Sequence, residues 1–200
     1  MSVKLKIIKF LIFLPFLFLS SENSYSQEPK VFIQTTVDKA SNILGQSIST
    51  DEKIKGLISI AKETVDIKGI GFYTLGKNRK NLSDNQKKEY SELFEKYFLK
   101  SFSSRLAEYT DPKIRVDSSE KLNEKYTIVS SVLLASEKRP EVKIDWRIYT
   151  KNPDKPLIRD LIIEGLSLAR TQKEEFNSIL VNNDQNIEAL FKSLREFINN

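Results

Sequence analysis

The 200-residue chain contains no cysteine and no histidine. Without cysteine it can form no disulfide bond and can carry no lipid on an N-terminal cysteine, so packing alone must stabilise the fold. The two absences together exclude a Ser-His-Asp triad, a Cys-His pair and almost every zinc site. A carboxylate-only or Ser-Lys enzyme is still possible, but the composition favours a protein that is not an enzyme and uses no metal or cofactor.

Long apolar runs are also scarce, and the one clear run lies near the N-terminus. Three lysines precede the apolar segment Phe10–Leu19, and the small residues of Ser24–Ser26 follow it. A run of 10 residues is too short to span a bilayer, which needs about 18 or more. We therefore predict a secretory signal peptide over residues 1–26, with an uncleaved membrane anchor as the alternative. Residues 27–200 then form a single periplasmic domain.

Charge of one sign is only mildly in excess, at a formal net charge of +5. No stripe of Lys and Arg interleaved with aromatic residues appears, so the sequence does not indicate binding to nucleic acid. The positive charge is compatible with weak, transient contact with an anionic membrane surface.

The first half of the chain has helical periodicity. Pro29 opens a predicted helix that stops at Gly45, and the capping-box pattern of Ser49–Glu52 opens a second. A short helical turn is expected at Gly71–Leu75. The longest predicted helix, Asp84–Glu108, carries an unusually aromatic stripe that includes Phe94, Tyr97, Phe98 and Phe102.

After Pro112 the period changes to two, which predicts strands. The clearest strand is Glu141–Thr150, whose apolar face carries Val142, Ile144, Trp146 and Ile148. The strand before it also has a period of two, and we expect one of its faces to point inward. That face carries Tyr126, Ile128, Ser130, Val132 and Leu134. A further strand at Leu157–Ile163 precedes two helices near Thr171–Val181 and Asp184–Ile198. The order predicts an α+β fold: an N-terminal helical part, a four-stranded antiparallel meander and two C-terminal helices.

The apolar pattern continues past the last strand through Leu166 and Leu168. Either these leucines extend the wall of a cavity, or they only seat the next helix. Gly165 would allow the turn and Ser167 would cap the helix. Asp160 and Glu164 lie roughly 13 Å apart along a strand, too far for a pair of glycosidase carboxylates, so we interpret Asp160 as structural, bonding a backbone N–H, Arg147 or Arg159.

The segment Ile158–Leu168 resembles the strand-to-helix signature of the MlaC family, with Asp160 followed by Glu-Gly-Leu-Ser-Leu and later by Phe176. Leu75-Gly76 and the long helix from Leu82 to Phe102 are also similar to that family, and the resemblance extends over residues 29–198. One departure is the basic run Lys77-Asn78-Arg79-Lys80, where the family usually has an aromatic residue.

The resemblance implies a periplasmic phospholipid carrier that buries acyl chains in an apolar pocket. Its implied partners are phospholipid, an inner-membrane MlaD-type ABC transporter complex and an outer-membrane MlaA-type lipoprotein–porin complex. Tyr97 and Trp146 are expected at the rim, because their polar ends need partners. Periodicity leaves open whether the interior is hollow or filled. The candidate pocket residues are Phe94, Tyr97, Phe98, Ile128, Val132, Ile144, Trp146, Ile148, Leu161, Ile163, Leu166 and Leu168.

Two other functions remain open from the sequence. One is an NTF2-like periplasmic enzyme, which would place carboxylates in a polar cavity. The other is a carrier or adaptor for a different apolar ligand such as a lipoprotein, which would combine a closed core with an exposed apolar groove.

Overall fold

The computed structural model of the chain describes residues 28–137 and 139–200, so the predicted signal peptide lies outside the described residues. None of the helices in this part of the chain is long and apolar enough to cross a membrane. The helices are α1 (Pro29–Gly45), α2 (Thr50–Thr64), α3 (Ile67–Thr74), α4 (Asp84–Ala107), α5 (Leu168–Val181) and α6 (Ile187–Asn199). The strands are β1 (Ile114–Asn123), β2 (Tyr126–Leu133), β3 (Val142–Tyr149), β4 (Leu157–Ile163) and β5 (Leu166–Ser167).

Two of the N-terminal helices begin at the capping boxes that the sequence predicts. The Ser49 hydroxyl accepts a hydrogen bond from the Glu52 N–H, and the Glu52 carboxylate accepts one from the Ser49 N–H. Ser83 and Gln86 make the same reciprocal pair at the start of α4. These bonds satisfy backbone donors that have no partner within the first turn of a helix.

The five strands form one antiparallel sheet in the order β1-β2-β3-β4-β5. The α+β class and the meander are confirmed, but the predicted count of four strands is one too low. The additional strand, β5, pairs Leu166 with Ile163 across a two-residue turn at Glu164 and Gly165. Both turn residues have positive φ, +49° and +82°, as a two-residue hairpin turn of type I′ requires.

The inner face of the sheet, which carries Trp146 and Ile148, packs against helices. Both side chains are buried, and Ile144 packs beside them with α1 residues Phe32 and Ile33. Arg147, between them on β3, keeps 39% of its side chain exposed. The predicted inward direction of the β3 apolar face is therefore confirmed.

The predicted face of β2 is wrong. Val129 lies opposite Trp146, whereas Ile128 lies opposite Arg147 and Val132 lies opposite Lys143. Because directly opposed residues of antiparallel strands share a face, Ile128 and Val132 project away from the inner face. Both faces of β2 carry apolar side chains, and a strand of that kind can be assigned to either face with equal ease from its sequence.

Helices α3 to α6 enclose a second core that is rich in aromatic rings. Tyr90 is fully buried, and its hydroxyl lies 2.7 Å from the Thr74 hydroxyl and donates to the Gly71 carbonyl at 3.2 Å. Phe94 lies between this core and the sheet, with ring centroids about 6 Å from those of Tyr90, Phe98 and Phe176. The aromatic stripe of α4 thus has one end in a filled core.

Gly71 lies against the buried Phe94 ring, and we expect Gly71→Ala to destabilise the protein. A Cβ at this position would lie 2.8 Å from Phe94 Cδ1, and the ring is held by its aromatic neighbours. Overpacking of this kind costs about 1–3 kcal/mol, which the roughly 0.5–1 kcal/mol gain of alanine over glycine in a helix interior offsets only in part. Urea unfolding should show a lower midpoint with an unchanged slope.

Gly56→Ala provides the matched control in helix α2. Its Cβ would also lie 2.8 Å from an atom, but that atom is Cδ1 at the flexible end of Ile43. Alanine in a helix interior is better than glycine by roughly 0.5–1 kcal/mol, which offsets the adjustment. Equal unfolding midpoints for the two variants would contradict the close packing of α3 against Phe94.

Candidate functional site

A cavity of about 220 Å³ lies between α4, the start of α5 and the inner face of β3 and β4. Apolar side chains dominate its walls, and three exposed lining residues, Arg105, Leu168 and Glu175, mark its mouth. The apolar lining residues are Val65, Ile70, Phe94, Phe98, Phe102, Trp146, Ile158, Leu161, Leu168 and Ala169. The cavity lies where the helical core and the sheet core meet.

The helical wall consists of Phe94, Phe98 and Phe102, which recur every four residues on α4. Residues at this spacing lie one above another on a helix, so the rings form a continuous strip. The centroids of Phe98 and Phe102 are 5.6 Å apart with the rings nearly parallel. The strip presents only carbon atoms to the cavity.

The opposite wall is the inner face of the sheet, where Trp146 and Leu161 lie side by side on adjacent strands. The Trp146 indole N–H donates to the Ser131 hydroxyl at 2.8 Å, so its polar atom is satisfied within the sheet. Trp146 is only 9% exposed. The prediction that Trp146 lies at the rim is therefore wrong, because its hydrogen-bond partner is inside and not at the solvent edge.

The turn between β4 and α5 is fixed by the buried carboxylate of Asp160. Its oxygens accept hydrogen bonds from the Ala169 N–H at 3.0 Å and from the Ser167 hydroxyl at 2.6 Å. Arg147 approaches the same carboxylate at 3.4 Å. Ser167 in turn accepts from the Arg170 N–H as the cap of α5. The structural interpretation of Asp160 and the capping role of Ser167 are both confirmed.

Leu166 and Leu168 occupy different environments at this turn. Leu168, the first residue of α5, lines the cavity although 40% of it is exposed, whereas Leu166 is 59% exposed and does not line it. Gly165 has no atom within 4 Å of a Cβ built on it, so the turn projects into solvent. Leu168 therefore extends the wall to the mouth, and Leu166 is an exposed apolar side chain beside it.

Hydrogen bonds connect α4 and α5 at the mouth. The Tyr97 hydroxyl donates to the Gln172 side-chain carbonyl at 2.7 Å, and the Gln172 amide donates to Glu175 at 2.9 Å. Burial raises the pKa of the Tyr97 hydroxyl, and the nearby Glu175 carboxylate raises it further. Tyr97 therefore stays protonated and keeps its donor role at neutral pH, at the rim position that the sequence predicts.

Half of the twelve predicted pocket residues line this cavity. Those that do are Phe94, Tyr97, Phe98, Trp146, Leu161 and Leu168. The residues that lie elsewhere are Ile128, Val132, Ile144, Ile148, Ile163 and Leu166. Ile148 is fully buried in the sheet core against α1, where the interior is filled. Which of the twelve contact a ligand stays a prediction.

Helix α5 contributes cavity residues that are not among the twelve predicted from the sequence. Ala169, Thr171, Gln172 and Glu175 all line the cavity, together with Arg105 from the last turn of α4. Their three- and four-residue spacing after Leu168 was the available signal. This signal is weak because polar residues on a helix are normally assigned to its solvent face. Within the described residues there is no group of three or more His, Cys, Asp or Glu side chains that could hold a metal.

Comparison with known proteins adds to this geometry. A family model described as MlaC protein matches residues 34–196. The chain belongs to the MlaC family. A solved structure with a similar fold is the phospholipid-binding protein from Ralstonia solanacearum in complex with a phospholipid, at 18% identity and a TM-score of 0.72. The alignment covers 86% of this chain and 97% of the Ralstonia chain, while a search of curated proteins finds no match.

The match to the MlaC family spans every element that forms the cavity, from α2 to α5. At 18% identity, the likeness to the Ralstonia protein concerns the fold and not individual side chains. The resemblance noted from Ile158–Leu168 is thus confirmed for the family.

Proposed function

We propose that this MlaC-family protein is a periplasmic carrier that shelters the acyl chains of a phospholipid and moves the lipid between the outer and inner membranes. The observation that carries the proposal is the cavity between the Phe94–Phe102 strip and Trp146, whose walls are dominated by apolar side chains. The phospholipid bound by the structurally similar Ralstonia protein supports the choice of ligand.

The energetics of acyl chains favour a cavity over a surface patch. Two chains of a phospholipid contain about thirty methylenes, and each is worth about 0.8 kcal/mol when removed from water. A carrier must recover on the order of 25 kcal/mol to remove the lipid from a membrane, and only enclosure of most of that surface can supply it. A wall made of rings and branched aliphatic side chains suits this task.

The cavity must widen when lipid enters. Its volume of about 220 Å³ is below the range of about 300–1,000 Å³ that is usual for pockets of drug-sized ligands. The Tyr97–Gln172 hydrogen bond joins α4 to α5 across the mouth, so we expect it to break or shift when two chains are loaded. A lipid-loaded form should therefore have α5 displaced from α4.

The cavity carboxylates do not favour the alternative of an enzyme. Asp160 is engaged in three structural contacts, and Glu175 is at the exposed mouth beside Gln172. An NTF2-like enzyme would be expected to have a polar cavity, whereas apolar side chains dominate these walls. A lipoprotein adaptor would need an exposed apolar groove over a closed core, whereas the phenylalanine strip lines a cavity, with Phe94 buried and Phe98 and Phe102 half-buried.

The partners of the carrier are part of the proposal and rest on the family assignment. After removal of residues 1–26, the carrier would exchange lipid with an MlaD-type ABC transporter complex in the inner membrane and an MlaA-type lipoprotein–porin complex in the outer membrane. The exposed Leu166 and Leu168 beside the mouth suit brief contact with either surface.

Organic extraction of the protein purified from a native periplasm tests the proposal. We expect mass spectrometry to find close to one phospholipid for each chain. Incubation of delipidated protein with phospholipid vesicles should restore that occupancy. Protein that emerges free of phospholipid and cannot be loaded would overturn the proposal, whereas a different bound apolar molecule would favour the adaptor.

A further inference from the structure

We propose that a basic patch beside the cavity mouth, formed by Lys77, Arg79, Lys80 and Lys173, docks the protein onto the anionic head groups of a membrane surface. The inference rests on the proposed lipid carrier, since exchange with complexes embedded in the inner and outer membranes brings the carrier close to a bilayer surface. It assigns to particular side chains a contact that net charge alone cannot locate.

The patch is built by a short 3₁₀ helix, Gly76–Lys80, which follows α3. Three of its five residues are exposed cations: Lys77, Arg79 and Lys80. A 3₁₀ helix places residues three apart on the same side, which brings Lys77 and Lys80 together.

Lys173 of α5 joins this segment in space. A Cβ at Gly76 would lie 3.0 Å from Lys173 Cε, so the lysine stem runs directly beside the start of the 3₁₀ helix. Its ammonium group lies 5.2 Å from the ring centroid of Tyr73, which is 42% exposed. A tyrosine at the edge of a cationic surface is typical of the interfacial layer of membranes, where its ring and hydroxyl are both accommodated.

The four cations are available for an external partner. Among the residues that the structure describes, no carboxylate forms an ion pair with Lys77, Arg79, Lys80 or Lys173. Like charges held together without counter-charges repel one another, and an anionic surface removes that repulsion.

The position of the patch connects docking to lipid exchange. Lys173 follows Gln172 directly in α5, and Gln172 lines the cavity at its mouth. A membrane that engages the patch therefore also lies close to the cavity entrance and to Leu168. Each basic residue near an anionic leaflet contributes enough to raise the affinity about fivefold, and the contributions multiply while the residues act independently.

Vesicle sedimentation with the full mature, lipid-loaded protein tests the docking. We expect binding to vesicles of equal parts phosphatidylglycerol and phosphatidylcholine, little binding to phosphatidylcholine alone, and loss of binding as salt rises from roughly 0.05 to 0.5 M. The triple variant Lys77→Gln, Arg79→Gln, Lys80→Gln should bind the anionic vesicles about 100-fold more weakly, from three independent fivefold losses.

The triple variant Lys121→Gln, Lys125→Gln, Lys151→Gln removes the same charge from the end of β1 and from the β1–β2 and β3–β4 turns, and it should bind as the wild type does. All six positions are exposed, so melting temperatures should not change. Equal loss of binding in both variants, or no loss in the first, would overturn the proposal. So would a wild type that ignores lipid vesicles and binds only vesicles carrying membrane proteins. Bound phospholipid, measured on the same samples, reports on the carrier function independently of docking.

Discussion

Leu161→Trp should remove most of the bound phospholipid from the protein while leaving its stability nearly unchanged. Leu161 lines the cavity from the sheet side, next to Trp146, and a larger ring there would extend into the empty volume. Each methylene kept out of the cavity forfeits about 0.8 kcal/mol, so the exclusion of two methylenes lowers the affinity roughly tenfold. Extraction and mass spectrometry give the occupancy, and the melting temperature after delipidation gives the stability.

Ile163→Trp is the matched control, because Ile163 lies two residues further along β4 and does not line the cavity. Its added volume should cost about 1–3 kcal/mol if it meets packed neighbours, with the lipid content unchanged. Reversal of the two phenotypes would show that the acyl chains run past Ile163 and not past Leu161. Loss of stability with full lipid occupancy in Leu161→Trp would mean that the wall at Leu161 is filled core.

Asp160→Ala should be among the most destabilising single substitutions at the β4–α5 turn. The carboxylate is 2% exposed and accepts hydrogen bonds from the Ser167 hydroxyl and the Ala169 N–H. Hydrogen bonds to charged groups are worth about 1.5–3 kcal/mol each, and both buried donors would lose their partner. We expect a loss of about 3 kcal/mol, which lowers the melting temperature by roughly 6–12 °C for a domain of this size.

Asp145→Ala controls for the removal of a carboxylate from the sheet. Asp145 lies on β3 opposite Ile162, and its carboxylate makes no hydrogen bond or ion pair within the described residues. Its loss should change stability by no more than about 0.5 kcal/mol. A melting temperature of Asp160→Ala that stays within about one degree of this control would contradict the anchoring role of Asp160.

The elements that could be predicted from the sequence are those governed by local rules. The capping boxes at Ser49 and Ser83 start their helices where expected, because a cap satisfies backbone donors a few residues away and needs no distant partner. The prediction of strand β3 is confirmed because the two faces of this strand differ sharply in polarity. The missed strand β5 contains only two residues, and so short a pairing leaves no periodicity in a sequence.

The sequence predicts cavity-lining residues correctly only on helices and strands that have a single apolar face. Phe94, Tyr97 and Phe98 were found because α4 concentrates its rings on one side, and Trp146 and Leu161 because β3 and β4 face the helices. The assignment of β2 failed because apolar side chains occur on both of its faces. The residues of α5 were missed because Thr171, Gln172 and Glu175 are polar, as mouth residues are.

By itself the sequence determined the α+β class, the family and the absence of His and Cys chemistry. These features depend only on which residues are present and on their spacing along short stretches of the chain. Only the tertiary structure decided that the interior is hollow beside Leu161 and filled around Ile148. The physical reason is that burial makes both positions apolar, whereas a void depends on the distance between α4 and the sheet. That distance is set by many contacts at once, so it cannot be predicted from the residue type at any one position in the chain.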